Sequence, residues 1–315
     1  MQLIKENLQC PSCGVENDFD KYDKNEELYF YCAGCDYLIK ANIPNIKLIK
    51  EFFLFLINSS LLLSIPLLSL FFYGIDETWD KYLPFIFLLS GSILSIAFHE
   101  FFHAITAFIF GDDAIFGKRY LRFDIRKYFH NFTSFLLPAA LFFITGVFLP
   151  GAAVYVDDNK INNRFNLAII YIAGVVANLI TLLIICYILN NYNDITSENT
   201  KILLHTLAFI QIFIIVFNLL PVPPLDGWGV ISQILNQTII KVFQKLGFLI
   251  LIVFISLAIY YDLFVYLYPI YQYLLDYFNI SLDYVLKGFD HLILYDPQII
   301  KNFLGETLRD FNFKF

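Results

Sequence analysis

The chain has 315 residues, of which 58% are hydrophobic, 19% aromatic and 16% charged, and its net charge is −7. This composition excludes an ordinary soluble domain, and the acidic balance gives no sign of nucleic-acid binding. Several apolar runs have about the 20 residues that cross a bilayer. We therefore predict an all-α polytopic membrane protein with no nucleic-acid partner.

Four cysteines lie near the start of the chain in two pairs, Cys10-Pro-Ser-Cys13 and Cys32-Ala-Gly-Cys35. Two C-x-x-C pairs about 18 residues apart are typical of a zinc ribbon, in which four thiolates close a tetrahedral structural site. We predict a small β zinc ribbon over residues 1–45, with a strand at 28–31 and its return at 37–41. Two disulfides or a redox dithiol are the alternatives, and disulfides would need an oxidising compartment.

Apolar runs after the ribbon predict about six membrane spans in a domain that covers residues 46–290. The clear spans are residues 49–74, 83–110, 165–189, 201–220 and 248–268. The run 269–286 carries two aspartates, so it either crosses the membrane or lies in the interface as an amphipathic helix. Residues 291–315 are predicted to be a C-terminal tail.

Charged loops between the spans predict their orientation. The loop 75–82 is mainly acidic, whereas the loop 111–131 carries five basic residues, which are Lys118, Arg119, Arg122, Arg126 and Lys127. Because basic loops stay in the cytoplasm, we predict a multi-pass protein of the cell membrane with a cytoplasmic N-terminus. The ribbon then lies in a reducing compartment, which suits thiolate ligands.

The second span ends in His99-Glu100-Phe101-Phe102-His103. Positions i and i+4 share one face of a helix, so both imidazoles can reach one ion, and Glu100 can reach a water on that ion. Ionisable residues cost about 2.5 to 3.5 kcal/mol each at the centre of a membrane helix, so they are rarely idle there. The alternative is a set of buried polar residues that only pack against other helices. The first interpretation predicts a catalytic Zn²⁺ with Glu100 as general base.

A third ligand is predicted at Asp226, in the segment Pro221-Val-Pro-Pro-Leu-Asp226-Gly227. Clustered prolines break a helix and free backbone groups. Such backbone is tolerated at membrane depth only inside protein or beside a water-filled cavity. A carboxylate there needs a partner, and a metal ion shared with His99 and His103 supplies one. The alternative is a surface turn just outside the membrane.

His99 and Asp226 can meet only if the spans that carry them run in the same direction. One clear span, 165–189, lies between them, together with the short apolar stretch 133–150. A full crossing by that stretch would put Asp226 on the outer side. We therefore predict that residues 133–156 dip into the membrane and return, with a short strand at 151–156, and that a tag at Asp158 is cytoplasmic.

These motifs together resemble the site-2 protease family of intramembrane zinc metalloproteases. The family pattern is H-E-x-x-H on one helix and N-x-x-P-x-P-x-L-D-G on another, and the second stands here at residues 218–227. Residues 173–178 (A-G-V-V-A-N) are similar to the family's A-G-P-x-x-N helix start, with Val175 in place of proline. Residues 150–155 (P-G-A-A-V-Y) are similar to its P-G-A-V-Y segment. The resemblance covers about residues 83–235 and excludes the ribbon and the C-terminal region.

The resemblance implies hydrolysis of a peptide bond in or near a transmembrane helix of a membrane-protein substrate. It implies one catalytic Zn²⁺ held by His99, His103 and Asp226, beside the structural Zn²⁺ of the ribbon, with Glu100 as the catalytic residue. The predicted substrate-binding residues are Asn218, Asn178, Gly151, Ala152, Ala153 and Val154.

Two other functions fit parts of the sequence. One is a non-catalytic membrane receptor or scaffold whose ribbon docks a cytosolic partner. A degenerate family member usually loses the glutamate or a ligand, however, and here all four residues are present. The other is a prenyl-protein protease, which would need a downstream Glu as third ligand in place of Asp226. The expected partners are a membrane-protein substrate, the lipid bilayer and, for the ribbon, a cytosolic protein.

Overall fold

The computed structural model is mostly helical in the part of the chain that it describes. It describes residues 6–9, 16–19, 30–31, 38–39, 45–75, 77–80, 82–112, 114–128, 154, 156, 160–161, 163–192, 197–261 and 266–290. The predicted re-entrant stretch lies outside these residues apart from Val154 and Val156, and the predicted C-terminal tail lies outside them entirely.

Two short antiparallel strand pairs precede the first helix. Strand β1 (Glu6–Gln9) pairs with β2 (Glu16–Phe19), and β3 (Phe30–Tyr31) pairs with β4 (Leu38–Ile39). The second pair falls where the sequence predicts a strand and its return. Outside the described residues lie Cys10, Cys13, Cys32 and Cys35. The ribbon and its structural zinc therefore stay predictions.

Helices make up most of the rest of the described chain. They are α1 (Asn45–Phe72), α2 (Glu77–Asp80), α3 (Leu83–Ile109), α4 (Ala114–Gly117), α5 (Ile125–Tyr128), α6 (Arg164–Asn191), α7 (Glu198–Asn218), α8 (Asp226–Ser232), α9 (Gln237–Tyr260), α10 (Tyr268–Tyr277) and α11 (Leu282–Asp290). Within the described ranges, α1, α3, α6 and α7 are long and apolar enough to cross a membrane. Their bounds agree with the first four predicted spans, and α1 continues through Pro66.

The C-terminal helices differ from the predicted spans. Helix α9 begins 11 residues before the predicted span 248–268 and ends at Tyr260. Helices α10 and α11 divide the run 269–286 at a turn where Asn279 has a φ of 55°. They have 10 and 9 residues, so each is about 15 Å long or less and too short to cross a hydrocarbon core of about 30 Å. The described residues therefore contain four helices able to span a membrane, where the sequence predicts about six spans.

Helices α3 and α7 run parallel to each other. A Cβ at Gly91 would contact the side chain of Leu207, and one turn further along both helices Ser95 Oγ donates a hydrogen bond to Gln211 Oε1 over 2.5 Å. The residue numbers therefore increase in the same direction along both helices. This is the shared direction that a site built from the ends of both helices requires.

Helix α6 runs antiparallel to α3. His99 contacts Asn178 and His103 contacts Ile170, so advancing along α3 means going back along α6. The connection between α3 and α6 therefore begins and ends on the same side of the bundle. This geometry requires no net crossing between the two helices, and the re-entrant path of residues 133–156 stays a prediction.

The first half of α1 contacts the segment that follows α3 through an ion pair, a hydrogen bond and an aromatic contact. Arg122 forms a bidentate ion pair with Glu51, with both N–O distances at 2.6 Å. Asn58 Nδ2 donates to the carbonyl oxygen of Arg122 over 2.7 Å, and Phe55 packs edge-on against Phe123. The start of α1 and the end of α3 therefore lie on the same side of the bundle.

Candidate metal centre

Helix α3 presents two histidines and a glutamate near its buried end. His99, Glu100 and His103 are 3%, 4% and 7% exposed. The two imidazole rings are one helical turn apart on one face, and their Nε2 atoms are 3.0 Å apart. The H-E-x-x-H stretch therefore forms the paired arrangement that the sequence predicts.

The break after α7 brings a carboxylate back toward α3. Helix α7 ends at Asn218 and α8 begins at Asp226, and the three prolines between them cannot continue a helical hydrogen-bond ladder. Glycine follows at Gly227 because a Cβ there would overlap the backbone of Leu219 and Leu220. The start of α8 therefore folds tightly against the end of α7.

Asp226 faces both histidines from this fold. Its Oδ2 lies 3.1 Å from Nε2 of His99, and its Oδ1 lies 3.3 Å from Nε2 of His103. These side chains could hold a metal ion, since their ligand atoms lie within 4.8 Å of one another. The structure thus brings together the three predicted ligands from two distant parts of the chain.

The second nitrogen of each ring already has a partner. His103 Nδ1 lies 2.6 Å from the carbonyl oxygen of Ile170, and His99 Nδ1 lies 2.6 Å from Oδ1 of Asn178. Both partners are acceptors, so in a neutral imidazole Nδ1 carries the proton and Nε2 keeps a lone pair. Two nitrogen lone pairs and a carboxylate therefore converge on one point, which is a donor set that a cation satisfies.

Gly174 on α6 leaves space at this point. A Cβ on Gly174 would overlap Nε2 of both histidines, so a larger residue would displace the two ligand nitrogens. The ligand atoms are 3.0 to 3.3 Å apart, close to the edge of about 3.3 Å for a tetrahedron with metal–ligand bonds of about 2.0 Å. Imidazole and carboxylate ligands at this spacing suit Zn²⁺, so the residues present fit the predicted ion.

Glu100 is held by a backbone donor from the predicted substrate-binding stretch. The N–H of Val154 donates to Oε2 of Glu100 over 2.9 Å. This bond places Val154 directly beside the predicted general base. Its predicted companions Gly151, Ala152 and Ala153 lie outside the described residues.

Asn178 and Asn218, both predicted to bind substrate, have different surroundings. Asn178 is fully buried and bonds His99, Ser95 and Gln211, so its contacts favour positioning of His99 over contact with a substrate. Asn218 is 3% exposed, and its Nδ2 has no hydrogen-bond partner among the described residues. It lies two turns beyond Gln211 on the same face of α7, toward the metal ligands.

Three residues of this site were missed by sequence reasoning. Ser95 and Gln211 are polar residues inside apolar helices, and that feature is the signal that could have found them. Gly174 stands in the stretch 173–178 that resembles the family pattern, but its role depends on how closely α6 packs against α3.

The fold and the site together define a helical membrane protein with a buried centre of two histidines and one aspartate. The chain is 33% identical over 172 residues to the protein named "Putative zinc metalloprotease Rip2" of Mycolicibacterium smegmatis. These residues make up 54% of this chain and 66% of that protein. It is 33% identical over 148 residues to the protein of the same name in Mycobacterium tuberculosis. Those residues make up 47% of this chain and 57% of that protein. These matches confirm the resemblance to the site-2 protease family that the motifs indicate.

The matched regions cover just under two thirds of the first relative and less of the second. No protein-family model matches the chain, and no solved structure matches it.

Proposed function

We propose that this protein is an intramembrane zinc endopeptidase that hydrolyses a peptide bond in or near a transmembrane helix of a membrane-protein substrate. The observation that carries the proposal is the convergence of His99, His103 and Asp226 on a space kept open by Gly174. His99 is 16 residues past Leu83, about 24 Å along α3 at about 1.5 Å per residue. The site therefore lies below the membrane surface, toward the side where α3 ends.

Each residue of the site has a separate role in this proposal. His99, His103 and Asp226 would hold one Zn²⁺, which when bound supplies Lewis-acid activation of water. Glu100 takes a proton from the attacking water and passes it to the leaving amine. The N–H of Val154 keeps the carboxylate of Glu100 oriented for both transfers.

A substrate must unwind before it can react. A helix hides its peptide carbonyls in hydrogen bonds to N–H groups four residues on. Residues 151–154 would pair with the unwound stretch by strand addition, and the bond from Val154 to Glu100 supports this placement. The unpartnered Nδ2 of Asn218 would donate to a substrate carbonyl. Substrates with Gly, Pro or Asn near the cut site are then favoured, because these residues weaken a helix.

The N-terminal segment is proposed to be a cytoplasmic zinc ribbon that docks a cytosolic protein. Its structural Zn²⁺ would be held by Cys10, Cys13, Cys32 and Cys35. The basic segment after α3 lies on the side of the bundle where α1 begins, and the preference of basic loops for the cytoplasm supports this orientation in the cell membrane.

Zinc content of the purified full chain in detergent tests the proposal. The double substitution His99→Ala/His103→Ala should lower zinc from about two ions per chain to about one, since only the closed cysteine site would remain. His205→Ala is the matched control. His205 is another buried histidine, but it lies on α7 and its Nδ1 accepts a hydrogen bond from the N–H of Ser281. Equal zinc in all three proteins would favour a non-catalytic membrane receptor or scaffold whose ribbon docks a cytosolic partner.

A further inference from the structure

A small polar cluster lies between α3, α6 and α7, one turn from the metal ligands. It consists of Ser95, Asn178 and Gln211, which are 2%, 0% and 0% exposed. Each comes from a different helix, and each is surrounded by apolar residues of a membrane-crossing segment. Polar side chains are costly at such positions, and packing alone does not require three of them together.

In this arrangement the hydrogen bonds of the cluster run from Asn178 and Ser95 to Gln211, and Nε2 of Gln211 has no hydrogen-bond partner among the described residues. Gln211 Oε1 accepts from Ser95 Oγ over 2.5 Å and from Asn178 Nδ2 over 3.2 Å. Ser95 Oγ also accepts from Asn178 Nδ2 over 2.9 Å. The Nδ2 group of Asn178 is therefore bonded on this side, and the carbonyl oxygen of the same amide is turned toward Nδ1 of His99.

The direction of this amide decides which nitrogen of His99 carries the proton. With Oδ1 of Asn178 facing the ring, Nδ1 is the donor and Nε2 keeps the lone pair that faces Asp226. A reversed amide would present N–H groups to Nδ1, so Nε2 would carry the proton and could not bind a metal. His103 has no such dependence, because its partner is a backbone carbonyl that cannot reverse.

We propose that Gln211 and Ser95 are positioning residues that set the tautomer of His99 through the amide of Asn178. The proposal rests on the zinc site proposed above and adds residues that touch neither the metal nor a substrate. Gln211 provides the acceptor that fixes the amide of Asn178, and the hydroxyl of Ser95 donates a hydrogen bond to the same acceptor. The three helices thus contribute one residue each to the orientation of a single ligand.

The zinc affinity of the purified full chain, measured in detergent by competition with a chelator, tests this role. Gln211→Leu should weaken the membrane site about 10-fold, the low end of the range for a direct partner of a metal ligand, because Gln211 acts on His99 through Asn178. Ser95→Ala should weaken it in the same direction. Ser92→Ala is the matched control, because Ser92 is also fully buried on α3 but bonds only the carbonyl oxygen of Leu88 in its own helix.

Asn178→Asp separates positioning from packing. Both oxygens of a carboxylate accept hydrogen bonds, so His99 keeps its proton on Nδ1 whichever way the side chain turns. In the Asn178→Asp background, Gln211→Leu should therefore change zinc affinity by about twofold or less. An equal loss in both backgrounds would show that Gln211 only fills space, and it would overturn the proposal.

Two outcomes keep this proposal distinct from the proposed function. A wild-type chain that binds zinc only at its cysteines overturns the metalloprotease itself. If the wild-type chain binds zinc at the membrane site but Gln211→Leu does not change the zinc affinity, only the positioning role is overturned. If Gln211→Leu does not fold, Ser95→Ala in the same two backgrounds provides the same comparison.

Discussion

His103 Nδ1 and the carbonyl oxygen of Ile170 are 2.6 Å apart, and this one bond fixes how His103 faces the metal centre. A backbone carbonyl in a helix keeps its direction, so Nε2 of His103 points to Asp226 whatever the neighbouring side chains do. His99 depends instead on the amide of Asn178. The two histidine ligands are therefore oriented by different means.

Removal of the metal is expected to destabilise the folded chain. Without a cation, the lone pairs of His99 and His103 face a carboxylate that is 14% exposed, at 3.1 to 3.3 Å. A ligand at 100 times its Kd stabilises the folded state by about 2.7 kcal/mol, so a chelator should lower the Tm measurably. Asp226→Ala should reduce this change in Tm. A change in Tm of the same size in Asp226→Ala would show that it comes from metal bound by the cysteines.

Gly174→Ala is expected to abolish the space for the ion. The new methyl would overlap Nε2 of both histidines, and zinc affinity should fall by at least about tenfold, as it does when a supporting group is lost. Gly91→Ala is the control, since its methyl meets only the flexible tip of Leu207 at 3.2 Å. Zinc titrations of both variants make the comparison, and equal affinities would contradict the placement of the ion.

Glu100→Gln should keep the fold and the zinc but lose catalysis. General acid–base residues contribute about 10² to 10⁴ in rate, so cleavage of a transmembrane peptide with a Gly-Pro pair in its helix should fall by that factor. Glu198→Gln, at an exposed position where α7 begins, should cleave at the wild-type rate. Full activity in Glu100→Gln would remove the general base from the mechanism.

Residue 158 is expected on the same side of the membrane as the N-terminus. Helices α3 and α6 are antiparallel, so the chain between them returns to the side from which it left. An epitope tag at Asp158 should be protected or exposed together with a tag at the N-terminus, and a tag after Gly74 should behave in the opposite way. Protease protection in sealed vesicles distinguishes the two patterns.

The ion pair between Glu51 and Arg122 is expected to stabilise the attachment of α1. Its side chains are 8% and 27% exposed, so removing one partner should cost about 1 to 3 kcal/mol, between the values for exposed and for buried pairs. Glu51→Met and Arg122→Met should each destabilise the chain, and the double substitution should cost less than their sum. Additive losses in unfolding measurements would show that the two charges do not interact in the folded state.

The catalytic candidates could be predicted from the sequence because their chemistry is local or strongly constrained. His99 and His103 share a helix face by spacing alone, and Asp226 stands in a proline break that has few other uses at membrane depth. The roles of Gly174 and Asn178 could not be predicted. They depend on the depth and rotation of α6 against α3, which no spacing within one helix encodes.

The four long helices could be predicted for a similar reason, since an apolar run of sufficient length has few alternatives. The C-terminal region could not be predicted, because apolar residues serve equally well in lipid and in a protein core. Leu275, Val285 and Phe289 are 3%, 0% and 2% exposed. They belong to the core cluster that includes α7, so their hydrophobicity does not mark a crossing.

The distance in sequence between the two halves of the centre has a consequence for synthesis. Asp226 follows His99 by 127 residues, so a ribosome that adds about 5 to 20 residues per second makes the aspartate about 6 to 25 seconds after the histidine. During that interval the nascent chain holds an incomplete centre, and the proposed proteolysis could not begin. A chain interrupted before residue 226 lacks the third proposed ligand, so the proposed activity would appear only once α7 has been inserted beside α3.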